Sequence, residues 1–293
     1  MLSEKQVIEL NKVISDSCVL VIQSCDAYED VWEMFFSALS EHWPGCSLRI
    51  ILNTETKTTS FGDLNIDDLN FNGDLSNPQW GEKLLNVLNH VEHEFVITLF
   101  DDFILEDRVN VEKILRCLDL MKRNENIGVF YFNNIPTTQI ESFDEFYKLG
   151  RTTDYKVNSC PALWRKKILQ EMTGTIDNPW AWEFFGSARA YGDKYEFYCA
   201  TPDKEDVFVY QYQLGGAIRR GKWVEKVIIP AIKKYNLSLD SSVRGFASES
   251  LSEGKYSLGW KVKFIRLGFE MVGFKAMLPL LRAVLQKIKR TFQ

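Results

Sequence analysis

Short runs of uniformly apolar residues, each closed by a polar cluster and followed by an amphipathic stretch, recur through the first half of the chain. Cys18 to Gln23 is the first; it ends at Ser24-Cys25-Asp26 and gives way to a helical pattern from Glu29 to His42. Leu48 to Leu52 is the second, closed by Asn53-Thr54-Glu55, and Phe95 to Phe100 the third, running straight into Asp101-Asp102. Between them lie a polar stretch from Lys57 to Asn77, read as loop, and a helix from Trp80 to Val91. A further helix (Val109 to Arg123) and strand (Ile127 to Phe132) complete the half. Strands apolar at nearly every position need cover on both faces, so the pattern predicts an α/β fold: a mostly parallel, Rossmann-like sheet flanked by helices. Ligands of such sheets sit at the carboxyl ends of the strands. Ser24, Asp26, Thr54, Glu55, Asp101 and Asp102 all fall at ends of this kind.

The second half is less regular. Asp154 to Ser159 reads as a strand, Leu163 to Met172 as a helix, and Asn178-Pro179 as a turn into a helix that reaches Arg189. Strands are expected at Glu196 to Ala200 and Val207 to Tyr212, and a helix from Trp223 to Tyr235. The globular domain is expected over 1–253, followed by a basic amphipathic helical tail over 254–293. In that tail Phe264, Leu267, Met271, Phe274, Leu278, Leu281, Leu285 and Ile288 recur at three- and four-residue steps, interrupted near Pro279, which is the spacing of one apolar helical stripe. From Lys261 onward eight basic residues face one acidic one, so the tail carries +7 and, with a total of −5, the rest of the chain carries −12. An acidic body argues against nucleic-acid binding. The tail suits a pair of helices lying in the inner membrane surface, with packing onto the acidic body or an oligomer contact as the alternatives.

The six cysteines are scattered, with no Cys-x-x-Cys pair, and are expected as buried, reduced thiols. Met1 to Ser15 lacks the apolar core of a secretory signal, and no uncharged apolar run reaches the roughly 18 to 20 residues of a membrane span. A cytoplasmic protein, peripheral on the cytoplasmic face of the membrane, is the expectation. His90 and His93 are read as exposed helix residues rather than metal ligands, Trp164 and Trp223 as packing, and Cys160 as a buried thiol.

Chemistry is concentrated at Asp101-Asp102. Adjacent carboxylates just past an apolar strand can hold a divalent cation, Mn²⁺ or Mg²⁺, against phosphate, whereas a helix cap or turn is the plainer reading of such a pair. No Gly-rich loop follows the first strand, which argues against a sugar nucleotidylyltransferase, and no G-x-G-x-x-G follows any predicted strand, which argues against a dinucleotide-dependent oxidoreductase.

A series of blocks from Val19 to about Arg244 resembles the bacterial GT-A-fold glycosyltransferases of capsule and lipopolysaccharide synthesis. They include Ser24-Cys25-Asp26-Ala27-Tyr28 with Trp32 and Phe35-Phe36, Trp43-Pro44, Asn53-Thr54-Glu55, Trp80-Gly81 and Asp101-Asp102-Phe103. Pro161-Ala162-Leu163-Trp164-Arg165, Asn178-Pro179-Trp180-Ala181-Trp182-Glu183 with Gly186-Ser187, and Arg220-Gly221-Lys222-Trp223 continue the series. The resemblance implies transfer of a sugar from a nucleotide-sugar donor, by default UDP-linked, to a glycan or lipid-linked glycan acceptor. It places the nucleotide in residues 1–135 and the acceptor in 136–253. Ser24, Asp26 and Thr54 would then meet the nucleoside, and Asp101 and Asp102 the ribose, metal or phosphates. Phe103 stands where the family's Asp-x-Asp motif has its second Asp, so Arg219, Arg220 and Lys222 are the candidates to neutralise phosphate without a metal. Glu183, between Trp180 and Trp182, is the candidate base for an acceptor hydroxyl, against the plainer reading of two core tryptophans and a favourable charge at a helix start. The competing reading from another class is a non-catalytic sugar- or nucleotide-binding scaffold of a membrane assembly complex.

Overall fold

The computed structural model describes residues 3–67, 70–136, 139–247 and 257–291. Helix α1 (Glu4–Ser15) leads into β1 (Cys18–Gln23), then α2 (Glu29–His42), β2 (Ile50–Asn53), α3 (Trp80–His90), β3 (Phe95–Phe100), α4 (Val111–Arg123) and β4 (Ile127–Tyr131). A hairpin of β5 (Gln139–Phe143) and β6 (Phe146–Leu149) follows, then β7 (Ala162–Arg165), α5 (Lys166–Met172), α6 (Pro179–Phe184) and β8 (Glu196–Ala200). The eight strands form one sheet in the order β2-β1-β3-β7-β4-β8-β6-β5. Its β3–β7, β7–β4, β8–β6 and β6–β5 pairs are antiparallel and the rest parallel, so six strands run one way and β6 and β7 oppose them. This is the expected α/β class, a mostly parallel sheet flanked by helices, and strands from both sequence halves share it.

Uniform apolarity of the strands has its physical cause in two cores. Cys18, Leu20 and Ile22 of β1 pack on one face with α1, α2 and α4, while Val19 and Val21 pack on the other with α3 and α5. Because side chains alternate along a strand, cover on both faces leaves little place for a polar residue, and the buried pair at the strand ends, Asn53 and Gln23, is joined by a hydrogen bond from Asn53 Nδ2 to Gln23 Oε1 at 2.9 Å. A small hairpin, β9 (Ile218–Arg219) and β10 (Lys222–Trp223), precedes α7 (Glu225–Tyr235) and the short α8 (Ser241–Arg244). The tail forms α9 (Leu258–Val272) and α10 (Met277–Thr291); the expected boundary at 253/254 lies outside the described residues.

Three expectations need correction. Leu163 to Arg165 belongs to a strand, β7, and the helix begins only at Lys166. Asp154 to Ser159 is not a strand: the Val157 amide donates to Ser187 Oγ at 3.0 Å and the Asn158 amide to Tyr131 Oη at 3.1 Å, so side chains take the place of a ladder. Val207 to Tyr212 is irregular, its carbonyls at Val209 and Val207 accepting from Glu106 and Asn110 at 2.8 and 3.3 Å. The break in the tail falls in the turn Gly273–Ala276, and Pro279 lies in the first turn of α10, where a missing amide costs nothing.

Candidate active site

A cavity of about 470 Å³ lies across the carboxyl ends of β1, β2 and β3. The chain leaves β3 at Phe100, and the Asp101 amide reaches back to Gln23 O at 3.2 Å, which fixes the turn. Asp101 is buried. One oxygen of its carboxyl accepts the Ser24 hydroxyl and, at 3.3 Å, the Trp32 indole N–H, which also donates to Ser24 Oγ at 2.8 Å. Burial, and then the neighbouring Asp102 charge, holds the Asp101 carboxyl well above the usual carboxylate range. Asp102 lines the cavity; burial pushes its carboxyl up to about 7, opposed by a hydrogen bond from the Ile218 amide. The loop of Gly215 and Gly216 lies directly on it. The Ala217 amide donates to Asp102 O at 2.7 Å, and at Gly216 (φ +80°) a Cβ would stand 2.6 Å from Asp102 Oδ2, so only glycine fits.

Glu183 reaches the same place from the other half of the chain. Asn178 caps α6 by accepting the Ala181 amide at 2.9 Å and Pro179 opens its first turn. Glu183 Oε1 accepts the Ser159 hydroxyl and, at 2.8 Å, the Ser159 amide, while burial raises its pKa. Register explains the meeting. Thr98 of β3 lies opposite Ala162, the first residue of the antiparallel β7, so the turn that follows β3, with Asp101, and the segment that precedes β7, with Ser159, lie at the same end of the sheet. The two tryptophans beside Glu183 divide: Trp182 is a core anchor donating to Met172 O at 3.0 Å, and Trp180 stands 68% exposed on the cavity lining.

A second, larger cavity of about 1060 Å³ adjoins, bounded by Asn134, Tyr147, Asp154, Asn158 and Tyr212 among others. Phe103, Ser159, Glu183 and Gly215 line both cavities. Phe103 stacks on Tyr210 with ring centroids 4.4 Å apart and forms an aromatic wall.

Ser24, Asp101, Asp102 and Glu183 are thus brought together, and the remaining candidates are not. Asp26 is spent on the chain itself: its carboxylate accepts the amides of Glu55, Thr56 and Lys57 and the Thr56 hydroxyl. Partial burial opposes the shift, yet these bonds hold its carboxyl below the usual range. Thr54 is buried and its hydroxyl donates to Lys57 O. Arg219, Arg220 and Lys222 belong to the β9–β10 hairpin and line neither cavity. Lys83 is the cation that sequence reasoning missed. Buried on α3, its Nζ lies 2.5 Å from Glu55 and 3.2 Å from Ser24 O at the cavity wall. The available signal was a charged residue one helical turn before Val87, on the face that α3 buries. Gln23 Nε2 and Trp80 Nε1, on residues lining the smaller cavity, are buried donors without a protein acceptor.

Among the described residues, no group of three or more His, Cys, Asp or Glu is placed to hold a metal. The His90 ring nitrogen Nδ1 lies 2.8 Å from Asn86 O, Trp164 and Trp223 are core residues, and all six cysteines are free, five of them buried. No helix among the described residues is long and apolar enough to cross a membrane.

No protein-family model matches the sequence, and no curated protein is similar to it. Among solved structures, S. aureus TarS is similar at 12% identity with a TM-score of 0.42, over 89% of this chain and 50% of that one. The S. aureus TarS 1–349 complex with UDP gives 11%, 0.39, 89% and 81%, and bifunctional IspDF from Campylobacter jejuni 15%, 0.31, 59% and 46%. This chain spans half the length of the longer TarS structure. Superpositions this loose leave function to be argued from the site's own chemistry.

Proposed function

We propose that the chain is a glycosyltransferase that moves a sugar from a nucleotide donor to a glycan hydroxyl. One observation carries the reading: Glu183 stands on the seam between the two cavities, beside Ser159 and within the same lining as Asp102. A group-transfer enzyme needs this layout, with a pocket for each substrate and a base where they meet. The smaller cavity takes the nucleotide. Its lining combines aromatic side chains at Tyr28 and Trp80, unpaired donors at Gln23 and Trp80, and the carboxyl of Asp102. The larger cavity takes the acceptor, whose hydroxyl meets Glu183.

Glu183 Oε1 is held by Ser159, which leaves Oε2 to accept the acceptor proton as the new bond to the anomeric carbon forms. The bond from that carbon to the diphosphate oxygen breaks, and the nucleoside diphosphate departs with the electron pair. A single displacement fits a base that stands between the two pockets. Divalent cations of the magnesium type bind through one or two carboxylates plus substrate phosphates, a demand that Asp102, with Asp101 behind it, can meet. Such an ion would neutralise the leaving diphosphate. Synthesis of a cell-surface polysaccharide, of capsule or lipopolysaccharide type, is the pathway that the sequence blocks favour.

The test is release of nucleoside diphosphate by purified protein from a panel of sugar nucleotides, UDP-sugars first, with and without Mn²⁺ or Mg²⁺. Release from at least one donor, lost in Glu183→Gln when acceptor is present, supports the reading. Binding of nucleotide with no release from any donor would make the chain a scaffold instead.

A further inference from the structure

The two tail helices are docked on the body by one side and bare on the other. Inward, Gly268 of α9 meets Phe185 so closely that a Cβ would stand 2.5 Å from its ring, and Phe264 packs on Phe184 and Phe185 with centroids 5.9 and 5.0 Å apart. Arg282 of α10 donates to Thr152 O and Oγ1 and to Asp154 Oδ1, the last at 2.9 Å. The apolar stripe read from the sequence is therefore divided, with Phe264, Leu267 and Met271 turned to the body. Outward lie Val262, Ile265, Phe274, Leu281, Leu285 and Ile288, from 39% to 90% exposed. Leu281, Leu285 and Ile288 follow steps of four and three on α10, and so share one face. A bare apolar surface on this scale marks a contact site in a soluble fold.

Charge selects the occupant. Lys261, Lys263, Lys275 and Lys289 are exposed among these apolar residues, while the tail's single carboxylate, Glu270, is engaged by Arg266 at 2.8 Å. The surface is thus apolar and basic together, which suits an anionic lipid headgroup layer with acyl chains beneath it. The helices cannot span a bilayer, so they would lie in its interface.

Position ties this face to the site. Gln286 of α10 lines the larger cavity, and Pro279 and Ala283 line a cleft of about 490 Å³ beside it; both spaces share Asp154 and Tyr155. We propose that the outward face of α9 and α10 seats the chain on an anionic bilayer, with α10 serving at once as membrane contact and as wall of the larger cavity. The cavity then opens next to the lipid surface. On the glycosyltransferase reading, on which this consequence rests, its occupant is an acceptor borne on a lipid.

The experiment is flotation of the full-length chain with vesicles of phosphatidylcholine and phosphatidylglycerol, against phosphatidylcholine alone. Binding to the anionic vesicles should exceed binding to the neutral ones by at least about tenfold at low salt. It should weaken at about 1 M salt, where the Debye length is about 3 Å. The double variant Leu281→Asp/Leu285→Asp, which alters only exposed positions, should lose the binding and keep its circular dichroism and its nucleoside diphosphate release. A wild-type chain that stays with the soluble fraction overturns the proposal. So does light scattering that shows a wild-type dimer, made monomeric by the double variant, with no vesicle binding, since the face would then serve a second copy. Flotation by a protein that releases diphosphate from no donor keeps the bilayer contact and refutes the enzymatic reading, and donor turnover without flotation does the reverse.

Discussion

Replacing Asp102 by Asn should make the protein more stable in alkali and less active. Burial raises the Asp102 carboxyl from 3.8 to about 7. A carboxyl raised on folding binds its proton more tightly in the native state, so its contribution to stability is fully present below about pH 4 and is lost as pH rises through about 7. A rise of that size corresponds to about 4 kcal/mol, since each tenfold change in proton affinity is worth about 1.36 kcal/mol. The side chain retains some contact with the cavity, which makes this an upper bound, and between about pH 5 and pH 8 a loss of about 2 to 3 kcal/mol is expected. Asn keeps the size and can still accept the Ile218 amide. Asp101 is present in both proteins, and relief from the Asp102 charge eases its own ionisation, which acts in the same direction. The assay is urea denaturation of wild type and Asp102→Asn at both pH values. The gap between the two proteins should widen toward alkali by about 2 to 3 kcal/mol in favour of the variant, while turnover falls at least about a hundredfold. Parallel stability curves would refute the argument, because Asp102 would then ionise in an environment as wet as bulk solvent.

Glu183→Gln should lower transfer by about 10² to 10⁴ with donor affinity in calorimetry unchanged, and an equal loss of donor binding would mark Glu183 as structural. Wild-type transfer should fall on acidification through a pKa above the ordinary glutamate range, because burial raises Glu183 and only its ionised form can accept the proton; a midpoint in the ordinary range would contradict the geometry. Mn²⁺ added with a nucleoside diphosphate should raise the wild-type melting temperature beyond nucleotide alone and leave Asp102→Asn unmoved, whereas identical shifts in EDTA would exclude a metal on these carboxylates. Gly216→Ala should cost about 1 to 3 kcal/mol in thermal or urea unfolding, through its left-handed backbone and the contact with Asp102, and a neutral substitution would show that the loop yields.

The first half of the chain was legible because each strand is buried on both sides, a condition that shows in nearly every residue of β1 and β3. Cys18 to Gln23 and Phe95 to Phe100 coincide with β1 and β3 to the residue. Strand β7 carries no such mark: four residues, Ala-Leu-Trp-Arg, run directly into a helix whose apolar spacing absorbs them, and only pairing with β3 and β4 on either side makes them a strand. That loss matters more for the site than for the fold. Asp101-Asp102 and Glu183 are each visible as carboxylates at places where chains bind ligands, yet nothing local relates them. Their meeting depends on the reversed direction of β7, which brings the segment holding Ser159 to the same end of the sheet as Asp101 and lets Ser159 hold Glu183. Reading 163–172 as a helix removes that register and leaves Glu183 without a neighbour. Lys83 and Gly216 were hidden for the same reason, since each is explained by a residue far away in sequence, Glu55 and Asp102. Asp26, Arg220 and Lys222 show the converse. Their residue types and spacing suit phosphate or nucleoside, but Asp26 has its carboxylate filled by backbone amides of the loop after β2, and the two cations line neither cavity although their hairpin reaches Asp102 through the Ile218 amide. Residue type at a strand end therefore marks where a site can form, and the antiparallel strand in the middle of the sheet decides which of those residues form it.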